Sequence, residues 1–520
     1  MARTPTADPE GPRPLEGGTR VLASLAVALA TFMNVLDTSI ANVSIPAIAG
    51  DLGVSPNQGT WTITSFAVAN AISVPLTGWL TQRYGQVRLF LATTALFVIA
   101  SLLCGLAVSM PMLVFFRVVQ GAVAGPMIPL SQTLLLSTYP REKAGMALAM
   151  FSLTILVAPV VGPVLGGWIT DNFSWPWIFF INVPVGVASL AMTWMLYRDR
   201  ETPRVKTPID IAGLVLLVVW VGALQLMLDK GKDLDWFESP EIAALAIAAA
   251  LAFCLFLAWE LTEAHPVVDL SLFRNRNFST GTLAISLAYA AYFGSIVLLP
   301  LWLQQYMGYT ATDAGLVLAP VGVLAIILTP IVGRFGNRID TRLLATTSLV
   351  IFAIVAWMRS GFNVEVDIWT LVWPTVLQGA AVSCFFIPLI ALSLAGLRQD
   401  QIAAASGLNN FLRITAGGFA TSIATTLWES RAALHHARIV ERLTPYDPAA
   451  SATLQLLGAL GMTPEQQYAF LNQMVNRQAF TLSALDLFYG SALLLVVLIP
   501  FLWIARPARR GPGADSASAH

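Results

Sequence analysis

Charged side chains are scarce in this sequence of 520 residues, because Asp, Glu, Lys and Arg together make up only 11% of it. In an ordinary globular domain about a quarter of the residues are charged, so this chain cannot cover a water-facing surface of its size. Its 29 basic and 29 acidic residues balance, and no nucleic-acid partner is expected. The shortage of charge excludes a water-soluble protein.

Cysteine is almost absent as well. Cys104, Cys254 and Cys384 all fall in apolar runs, where a structural thiol is the favoured interpretation. Their spacing fits neither a disulfide framework nor a metal site. We therefore expect no metal and no bound cofactor.

Signatures of catalysis are missing too. The only Gly-Lys pair, Gly231-Lys232, is followed by Asp233 instead of Ser or Thr, which excludes a P-loop ATPase. Neither G-x-S-x-G nor H-E-x-x-H occurs, so a membrane hydrolase is poorly supported. The sequence predicts a protein that is not an enzyme.

Long apolar runs are what the sequence has in abundance, since 56% of its residues are hydrophobic. A run of about 20 apolar residues is long enough to cross a bilayer as a helix. Fourteen such runs begin near Arg20, Thr60, Val87, Pro111, Lys143, Pro176, Ile209, Pro240, Phe278, Thr312, Arg342, Trp369, Ile402 and Phe480. The predicted fold class is an all-α polytopic membrane protein with fourteen transmembrane helices.

The distribution of Lys and Arg predicts the orientation in the membrane. The termini and the loops on their side hold 20 of these residues, the opposite loops hold 7, and Arg117 and Arg413 fall inside predicted helices. Because positive residues stay on the cytoplasmic side, both termini are expected in the cytoplasm. The first apolar run is long and lacks a small-residue cleavage site, so no cleaved signal peptide is expected.

An internal repeat divides the chain. The matched pairs, separated by 255 or 258 residues, are Gly78 with Gly333, Arg83 with Arg338, and Gln120 with Gln378. Two six-helix units in the same orientation are therefore predicted, with two helices inserted between them. The predicted division is a tail (1–19), a six-helix bundle (20–200), a linker with two inserted helices (201–277), a second bundle (278–505, with a periplasmic loop at 431–479) and a tail (506–520).

Two charged residues interrupt predicted helices at similar depth, Asp37 on helix 1 and Arg117 on helix 4. A charge at such a depth costs about 2.5–3.5 kcal/mol, so each should face a partner or a watery cavity. Arg117 could instead snorkel to the interface, but Gln120 and Gly121 on the same face favour an inward-facing stripe. Guanidinium keeps its proton in proteins, so Asp37 is the predicted proton carrier. Its separation from Arg117, changing as the two halves rock, is predicted to switch Asp37 between binding and releasing a proton.

Other polar residues inside predicted helices are candidates for a substrate cavity. Arg413 is either a binding or coupling residue or one half of a structural pair with a carbonyl. Asn182 is expected to serve only its own helix. The remaining candidates are Asn34, Asn42, Gln120, Tyr289, Tyr292, Gln304, Gln378, Asn409 and Asn410.

The stretch 155–168 combines prolines and glycines within an apolar run. Its distinctive residues are Pro159, Gly162, Pro163, Gly166 and Gly167. Lipid tolerates such residues in a helix, and a stripe of small residues at every fourth position lets another helix backbone approach closely. A simple packing or dimerisation face is the plain alternative.

Two connections stand out by composition. The short basic segment 78–88 contains Gly78, Arg83, Gly85 and Arg88, which suit a tight turn and positive-inside anchoring. The loop 431–479 shows helical spacing of its apolar residues, and its segment 463–466 has the pattern of a capping box with Pro at the first helical position. Amphipathic helices are therefore predicted there.

Five motifs, at 36–43, 58–66, 116–121, 158–168 and 178–184, carry a resemblance to a known family. Over residues 14–507 the chain resembles the EmrB-type multidrug exporters of the fourteen-helix drug/proton antiporter family, within the major facilitator superfamily. The segment around Arg117 resembles motif B, and the stretch 155–168 resembles the antiporter motif C. The segment 78–88 resembles motif A, the cytoplasmic gate, although Gln82 stands where the family usually has Asp.

The resemblance implies the major facilitator fold, with six, two and six helices, in a bacterial inner membrane. It implies export of hydrophobic toxic compounds driven by the proton gradient. It also implies a periplasmic adaptor (membrane fusion) protein and an outer-membrane channel as partners. Because the loop 431–479 has apolar faces without an obvious core of its own, we predict that it docks against the adaptor. A narrow-specificity metabolite or siderophore exporter is the alternative, and a passive channel is the nearest rival that is not a transporter.

Overall fold

The computed structural model describes residues 15–140, 144–204, 208–263, 266–335, 340–397, 401–444 and 447–506, and every regular element in these ranges is a helix. The first half contains α1 (Gly17–Asp51), α2 (Pro56–Gly59), α3 (Trp61–Ser73), α4 (Thr77–Tyr84), α5 (Gln86–Gly105), α6 (Met110–Ala124), α7 (Met127–Thr138), α8 (Ala144–Asn172), α9 (Trp177–Phe180) and α10 (Asn182–Tyr197). The inserted pair is α11 (Ile211–Lys230) and α12 (Pro240–Glu260).

The second half follows the inserted pair. It contains α13 (Arg276–Tyr306), α14 (Ala311–Leu318), α15 (Val321–Phe335), α16 (Thr341–Arg359), α17 (Ile368–Ser383), α18 (Phe386–Leu394), α19 (Ile402–Arg442), α20 (Pro448–Ala459) and α21 (Pro464–Leu502). One short 3₁₀ turn, Trp236–Glu238, lies between the two inserted helices, and another, Leu270–Arg274, precedes α13.

Eleven helices in the described ranges are long and apolar enough to cross a membrane, or up to 12 when the bent pair Pro56–Ser73 and Thr77–Tyr84 counts as one span. The chain is thus a multi-pass, all-helical membrane protein, as predicted. Thirteen of the fourteen predicted starts lie within a few residues of the start of a helix. The helices α8 and α19 are outside the set of eleven, so the count of fourteen spans stays a prediction.

The apolar run that begins near Phe480 lies within α21, which begins sixteen residues earlier, at Pro464. A capping box fixes this start, as its pattern predicted: the backbone N–H of Gln466 donates to Thr463 Oγ1 (3.4 Å), and that of Thr463 donates to Gln466 Oε1 (2.9 Å). Such reciprocal bonds satisfy N–H groups that the first helical turn leaves unpaired.

The helices α19 and α21 are exceptionally long, with 41 and 39 residues. At about 1.5 Å per residue each spans about 60 Å, roughly twice the hydrocarbon thickness of a bilayer. Within the bundle they pair through Asp486, which accepts from Arg431 Nε (2.6 Å) and contacts His435 Nε2 (2.7 Å). Beyond the bundle His436 Nε2 of α19 contacts Asn472 Oδ1 of α21 (3.0 Å). The predicted loop 431–479 is therefore largely a helical hairpin that continues α19 into α21 through α20.

The two ends of the bundle can now be distinguished. At the terminal end, the N–H of Leu15 donates to Thr138 O (3.1 Å) and the N–H of Arg506 donates to Asn277 Oδ1 (2.7 Å). The hairpin end is the opposite one, where α1 and α13 finish and the hairpin projects.

Each half has its own apolar core, and a third core joins them. Residues such as Phe90 and Leu134 form the core of the first half, and residues such as Leu349 and Phe385 form that of the second. The shared core includes Ile45 of α1, Leu298 of α13 and Val317 of α14, all toward the hairpin end. The halves are thus joined mainly at the hairpin end.

The inserted pair packs against both halves. One apolar cluster contains Val68 of α3, Leu217 of α11, Phe256 of α12 and Phe411 of α19. Since α3 belongs to the first half and α19 to the second, the inserted helices cover the line along which these two helices meet.

Candidate functional site

Asp37 and Arg117 form an ion pair in the interior of the first half. Arg117 Nη1 lies 2.5 Å from Asp37 Oδ2, and the two side chains are 1% and 0% exposed. The structure therefore brings together the two charges that the sequence placed at similar depth. An ion pair with this little exposure loses its hydration, so it needs hydrogen bonds to its remaining polar atoms.

Neutral groups from three helices supply those hydrogen bonds. Asp37 Oδ1 accepts from Gln120 Nε2 (3.0 Å) and Asn182 Nδ2 (2.9 Å). Arg117 donates through Nη1 to Gln120 Oε1 (2.7 Å) and through Nε to Thr62 O (2.8 Å). Both carboxylate oxygens of Asp37 are therefore occupied, which stabilises the anion.

Aromatic rings close the pocket around the guanidinium. The centre of the Arg117 guanidinium lies 4.3 Å from the ring centroid of Phe66 and 5.4 Å from that of Phe179. Cation–π contacts of this kind stabilise a desolvated cation. The pair is sealed from water in this conformation.

Asn182 is a site residue that the sequence interpretation missed. It was expected to serve only its own helix, but its side chain reaches Asp37 on α1 and also donates to Ser101 Oγ (3.0 Å) on α5. Asn182 is the first residue of α10, in an otherwise apolar segment. An amide in such a place is costly without partners, and that cost was the available signal.

Among the described residues, the side chains that hydrogen-bond to Asp37 all belong to the first half. The sequence interpretation had the Asp37–Arg117 separation change as the two halves rock. Because α1 and α6 lie in the same half, a rigid rotation of that half leaves their separation unchanged. Only a local shift between α1 and α6 would change it.

The glycines of α8 allow close backbone contacts, as their spacing predicted. A Cβ added to Gly162 would lie 2.5 Å from Ser39 Oγ, and one added to Gly166 would lie 2.7 Å from Ile40 O, both on α1. A Cβ on Gly167 would collide with the backbone of Ala311 on α14, and one on Gly315 of α14 with that of Pro163. Thus α8 packs on α1 through one face, and through another face it packs on α14 of the second half. Pro159 lies between these contacts and the start of α8.

Two further contacts join the halves at the hairpin end. Asp171 Oδ2 accepts from the backbone N–H (2.7 Å) and Oγ1 (2.5 Å) of Thr312. Gln304 Nε2 donates to Val43 O (2.9 Å). Gln304, a candidate for the substrate cavity, therefore contributes to the closed junction in this conformation.

Several candidates of the second half come together around Arg413. Its guanidinium lies 4.8 Å from the ring centroid of Tyr289 and 5.4 Å from that of Phe386, and Nη2 donates to Asn410 Oδ1 (3.0 Å). Tyr292 is next to Tyr289, with 6.1 Å between ring centroids. Arg413 Nε has no hydrogen-bond partner among the described residues. This group offers aromatic surface beside a cation.

Arg359 is a second site residue that the sequence did not reveal. It was counted with the loops opposite the termini, but it ends α16 with 2% exposure. Its Nη2 donates to Gln378 Oε1 (2.7 Å) and Thr375 Oγ1 (3.1 Å). Gln378 therefore contacts a buried arginine, much as Gln120 does in the first half.

Three asparagine candidates lie in helix contacts. Asn34 donates to Ala124 O (3.2 Å), and Asn409 donates to Thr282 Oγ1 and Ser393 Oγ (both 3.1 Å). Asn42 is 3% exposed, and its Oδ1 has no partner within the described part of the chain. The first two are positions of helix packing in this conformation.

The basic connection between α4 and α5 turns at Gly85, whose φ of 88° favours glycine. Glu201 accepts from the backbone N–H groups of Val87 (3.0 Å) and Arg88 (2.9 Å), and Arg88 Nε lies 3.8 Å from its carboxylate. Arg83 lies over Trp79 at the surface. A Cβ added to Gly78 would meet nothing. Arg338, which the internal repeat matches with Arg83, lies outside the described residues.

Comparison with known proteins gives a family and close relatives. The family model of the Major Facilitator Superfamily matches residues 27–421. The chain is 52% identical to the multidrug export protein EmrB of Escherichia coli strain K12 over 509 residues, which cover 98% of this chain and 99% of that protein. It is 50% identical to the fatty acid resistance protein FarB of Neisseria gonorrhoeae over 494 residues, 95% of this chain and 97% of that protein.

Solved structures share the fold at low sequence identity. A POT family transporter, PepTSo, aligns with a TM-score of 0.62 and 13% identity, over 93% of this chain and 98% of its own. A bacterial homologue of the human lysosomal transporter Spinster aligns with a TM-score of 0.59 and 17% identity, over 96% and 100%.

Proposed function

This chain belongs to the major facilitator superfamily, among its EmrB-type multidrug exporters, and on that premise we propose that it exports hydrophobic drugs in exchange for protons. The observation that carries the exchange is the buried ion pair of Asp37 and Arg117. The protein is a membrane transporter and not an enzyme, its substrates are small molecules, and the proton gradient is its proposed energy source.

Proton binding at Asp37 would change the charge balance of the first half. The proton neutralises the carboxylate, so Arg117 loses its only carboxylate partner among the described residues. An unpaired guanidinium in a dry site is costly, so α6 and α1 would rearrange to restore its partners. This local rearrangement links proton binding to the arrangement of the helices.

The membrane potential supplies enough energy for uphill export. Each proton that enters the cell contributes about 2.3 kcal/mol per 100 mV. Since about 1.4 kcal/mol corresponds to a factor of ten, this supports roughly fifty-fold accumulation of a neutral drug. The close contact of α8 with α14 would limit leak while the hairpin end is closed.

The cluster around Arg413 is the proposed drug-binding surface. Tyr289, Tyr292 and Phe386 offer apolar surface, and Asn410 and Arg413 offer polar groups that orient a ligand. Large apolar pockets with few polar groups are typical of small-molecule sites.

The hairpin is the proposed docking element for a periplasmic adaptor. Its apolar side chains Leu456, Leu460 and Tyr468 are 64%, 70% and 63% exposed. A cleft of about 310 Å³ opens at its base, between α13 and α21. With an outer-membrane channel, the adaptor would complete a pump that starts in the bacterial inner membrane, with both termini of this chain in the cytoplasm.

An exporter of one class of anionic metabolites is the second candidate. Arg359 and Arg413 favour it, because neither forms an ion pair within the ranges that the structure describes. A chemically broad drug panel separates the two candidates, since a narrow exporter would protect cells against few members of it.

Reconstituted transport tests the proposed exchange. Proteoliposomes that hold the purified protein should move protons when a transported drug is added, and an ionophore that collapses the gradient should abolish drug accumulation. Drug movement that only runs downhill and ignores the ionophore would support a passive channel instead.

A further inference from the structure

The inserted helix α11 carries a carboxylate that contacts both halves. Asp229 Oδ2 accepts from Thr64 Oγ1 (3.2 Å) on α3, in the first half. Its Oδ1 accepts from Ser422 Oγ on α19, in the second half, and from Gln225 Nε2 (2.8 Å) one turn earlier on α11. Gln225 Nε2 also donates to Ser422 Oγ (2.6 Å). One carboxylate thus joins three helices at the hairpin end.

No cation pairs with Asp229 in the described part of the chain, although several charges are close in sequence or space. Lys230 pairs with Glu241 (3.0 Å), Lys232 pairs with Glu429, and Asp233 accepts from Gln58 Nε2 (3.3 Å). The charged groups at this end of α11 and α12 and the nearest one after Ser422 on α19, Glu429, are thus engaged with one another or with Gln58. The other charged groups of α12 and α19 include Glu260, Arg413 and Arg431. The donors to Asp229 are therefore hydroxyl and amide groups.

Placing an unpaired carboxylate near the membrane costs free energy. If the residue only had to connect the helices by hydrogen bonds, a neutral amide would make similar bonds at a lower cost. A carboxylate differs from an amide in that it can take up a proton. In the anion both oxygens accept charge-assisted hydrogen bonds from these donors. A proton on either oxygen removes the negative charge and turns that oxygen into a donor, so the bonds to Thr64, Ser422 and Gln225 weaken or must reverse. Thr64 and Ser422 lie on opposite halves, so the bonds that favour the anion also hold the hairpin end closed.

We propose that Asp229 is a second proton-binding site, and that its protonation releases the two halves from one another at the hairpin end. The inference rests on the proposed proton exchange and adds a site outside the Asp37 pocket. The unprotonated carboxylate bridges Thr64 and Ser422 while the hairpin end is closed. A proton from the hairpin side weakens the bridge and favours opening toward that side.

Distance measurements across the junction test this site. Spin labels are attached to Ser174→Cys and Glu365→Cys, two exposed positions on opposite halves at the hairpin end, after the accessible Cys254 and Cys384 are replaced. The background is Asp37→Asn, so that the first proton site is silent. Between about pH 8 and about pH 5, a range that brackets carboxylate titration, the distance distribution should shift to longer values.

Four variants decide the assignment. Asp229→Asn should abolish the pH-dependent shift, and the matched control Asp233→Asn should keep it. Ser422→Ala and Thr64→Val should increase the long-distance population already at the higher pH, so they test the bridge even if Asp229→Asn fails to fold.

A shift that is absent in the background, or that persists in Asp229→Asn, overturns the proposal. Loss of the shift in the control Asp233→Asn overturns it as well, because the response would then not belong to Asp229. Drug-driven proton movement by the otherwise unmodified protein is measured separately, so failure of this site is distinct from failure of the proposed exchange.

Discussion

Asp37 is the residue on which proton exchange depends in our proposal, and its neutral isostere separates binding from coupling. We expect Asp37→Asn to bind drug but to lose uphill accumulation. In the parent protein, the entry of one proton at a membrane potential of 100 mV supports an accumulation of roughly fifty-fold. Drug accumulation and drug-induced proton movement in proteoliposomes measure the two properties.

Asp51→Asn is a matched control for this change, since Asp51 is the last residue of the same helix and is exposed. It should transport like the parent protein. Normal antiport by Asp37→Asn would eliminate Asp37 as the carrier and direct attention to another acidic group.

Asn182 gives a prediction that the sequence alone would not have suggested. Asn182→Ala removes a buried donor to Asp37, so we expect a loss of about 1–3 kcal/mol in stability and impaired coupling. Asn34→Ala, which removes a bond to one backbone carbonyl, should lower stability without uncoupling transport. Thermal unfolding in detergent and proton movement in liposomes separate the two effects; equal coupling in both variants would argue against a role for Asn182.

For single residues, the sequence indicated which side chains are costly to bury but did not indicate which groups they contact. Asp37 and Arg117 could be identified because a charge inside an apolar run is expensive wherever it points. Arg359 was missed because it ends a helix, where a polar group is normal, and Asn182 because the cost of its amide does not tell which helix supplies the partner. Only the packed structure shows that both are buried.

Among the elements, α8 is the one whose packing leaves no room for a side chain. Gly167→Val should push α8 away from α14, because its Cβ would meet the backbone of Ala311. We expect a raised proton leak through liposomes without drug. Gly78→Ala is the control, since a Cβ there meets nothing; an unchanged leak in Gly167→Val would mean that this contact does not seal the junction.

The hairpin can be tested as a separate element. Replacing residues 438–475 with a short Gly/Ser linker should abolish co-purification of a periplasmic adaptor, while proton-driven transport in proteoliposomes survives. The bundle contacts that the structure describes for Asp37, α8 and α14 lie outside this segment. Adaptor recovery at the parent yield would rule out the hairpin as the docking element.

Helix starts were predictable and helix lengths were not. Apolar runs and capping residues specify where most helices begin, and thirteen starts follow them closely. In the extension of α19 and α21 beyond the bundle, contacts such as that of His436 with Asn472 bring together residues 36 positions apart. The hydropathy pattern of the sequence does not predict such contacts between distant residues.

For the whole molecule, the orientation can be tested by labelling. A cysteine at Ser451, in α20 of the hairpin, should react with a membrane-impermeant thiol reagent in intact spheroplasts. A cysteine at Ser516 should react only after lysis, because the excess of Lys and Arg on the terminal side predicts a cytoplasmic location. The opposite pattern would reverse the orientation.

The repeat and the motifs were enough to predict the all-helical fold and the family. The conformation was beyond reach, because the same apolar faces can pack in more than one arrangement of the halves. In the arrangement that the structure shows, Asp171 contacts Thr312 and Gln304 contacts Val43 across the junction of the halves.

The position of the inserted helices has a consequence for solutes dissolved in the bilayer. Along the line where α3 meets α19, α11 and α12 stand between the junction and the lipid. On the other flank, where α8 meets α14, the described contacts are made by the two halves themselves. A lipophilic molecule that diffuses within the membrane therefore meets two different sides of the junction. On the α3–α19 side the inserted helices lie in its way, and on the α8–α14 side it contacts the two halves directly.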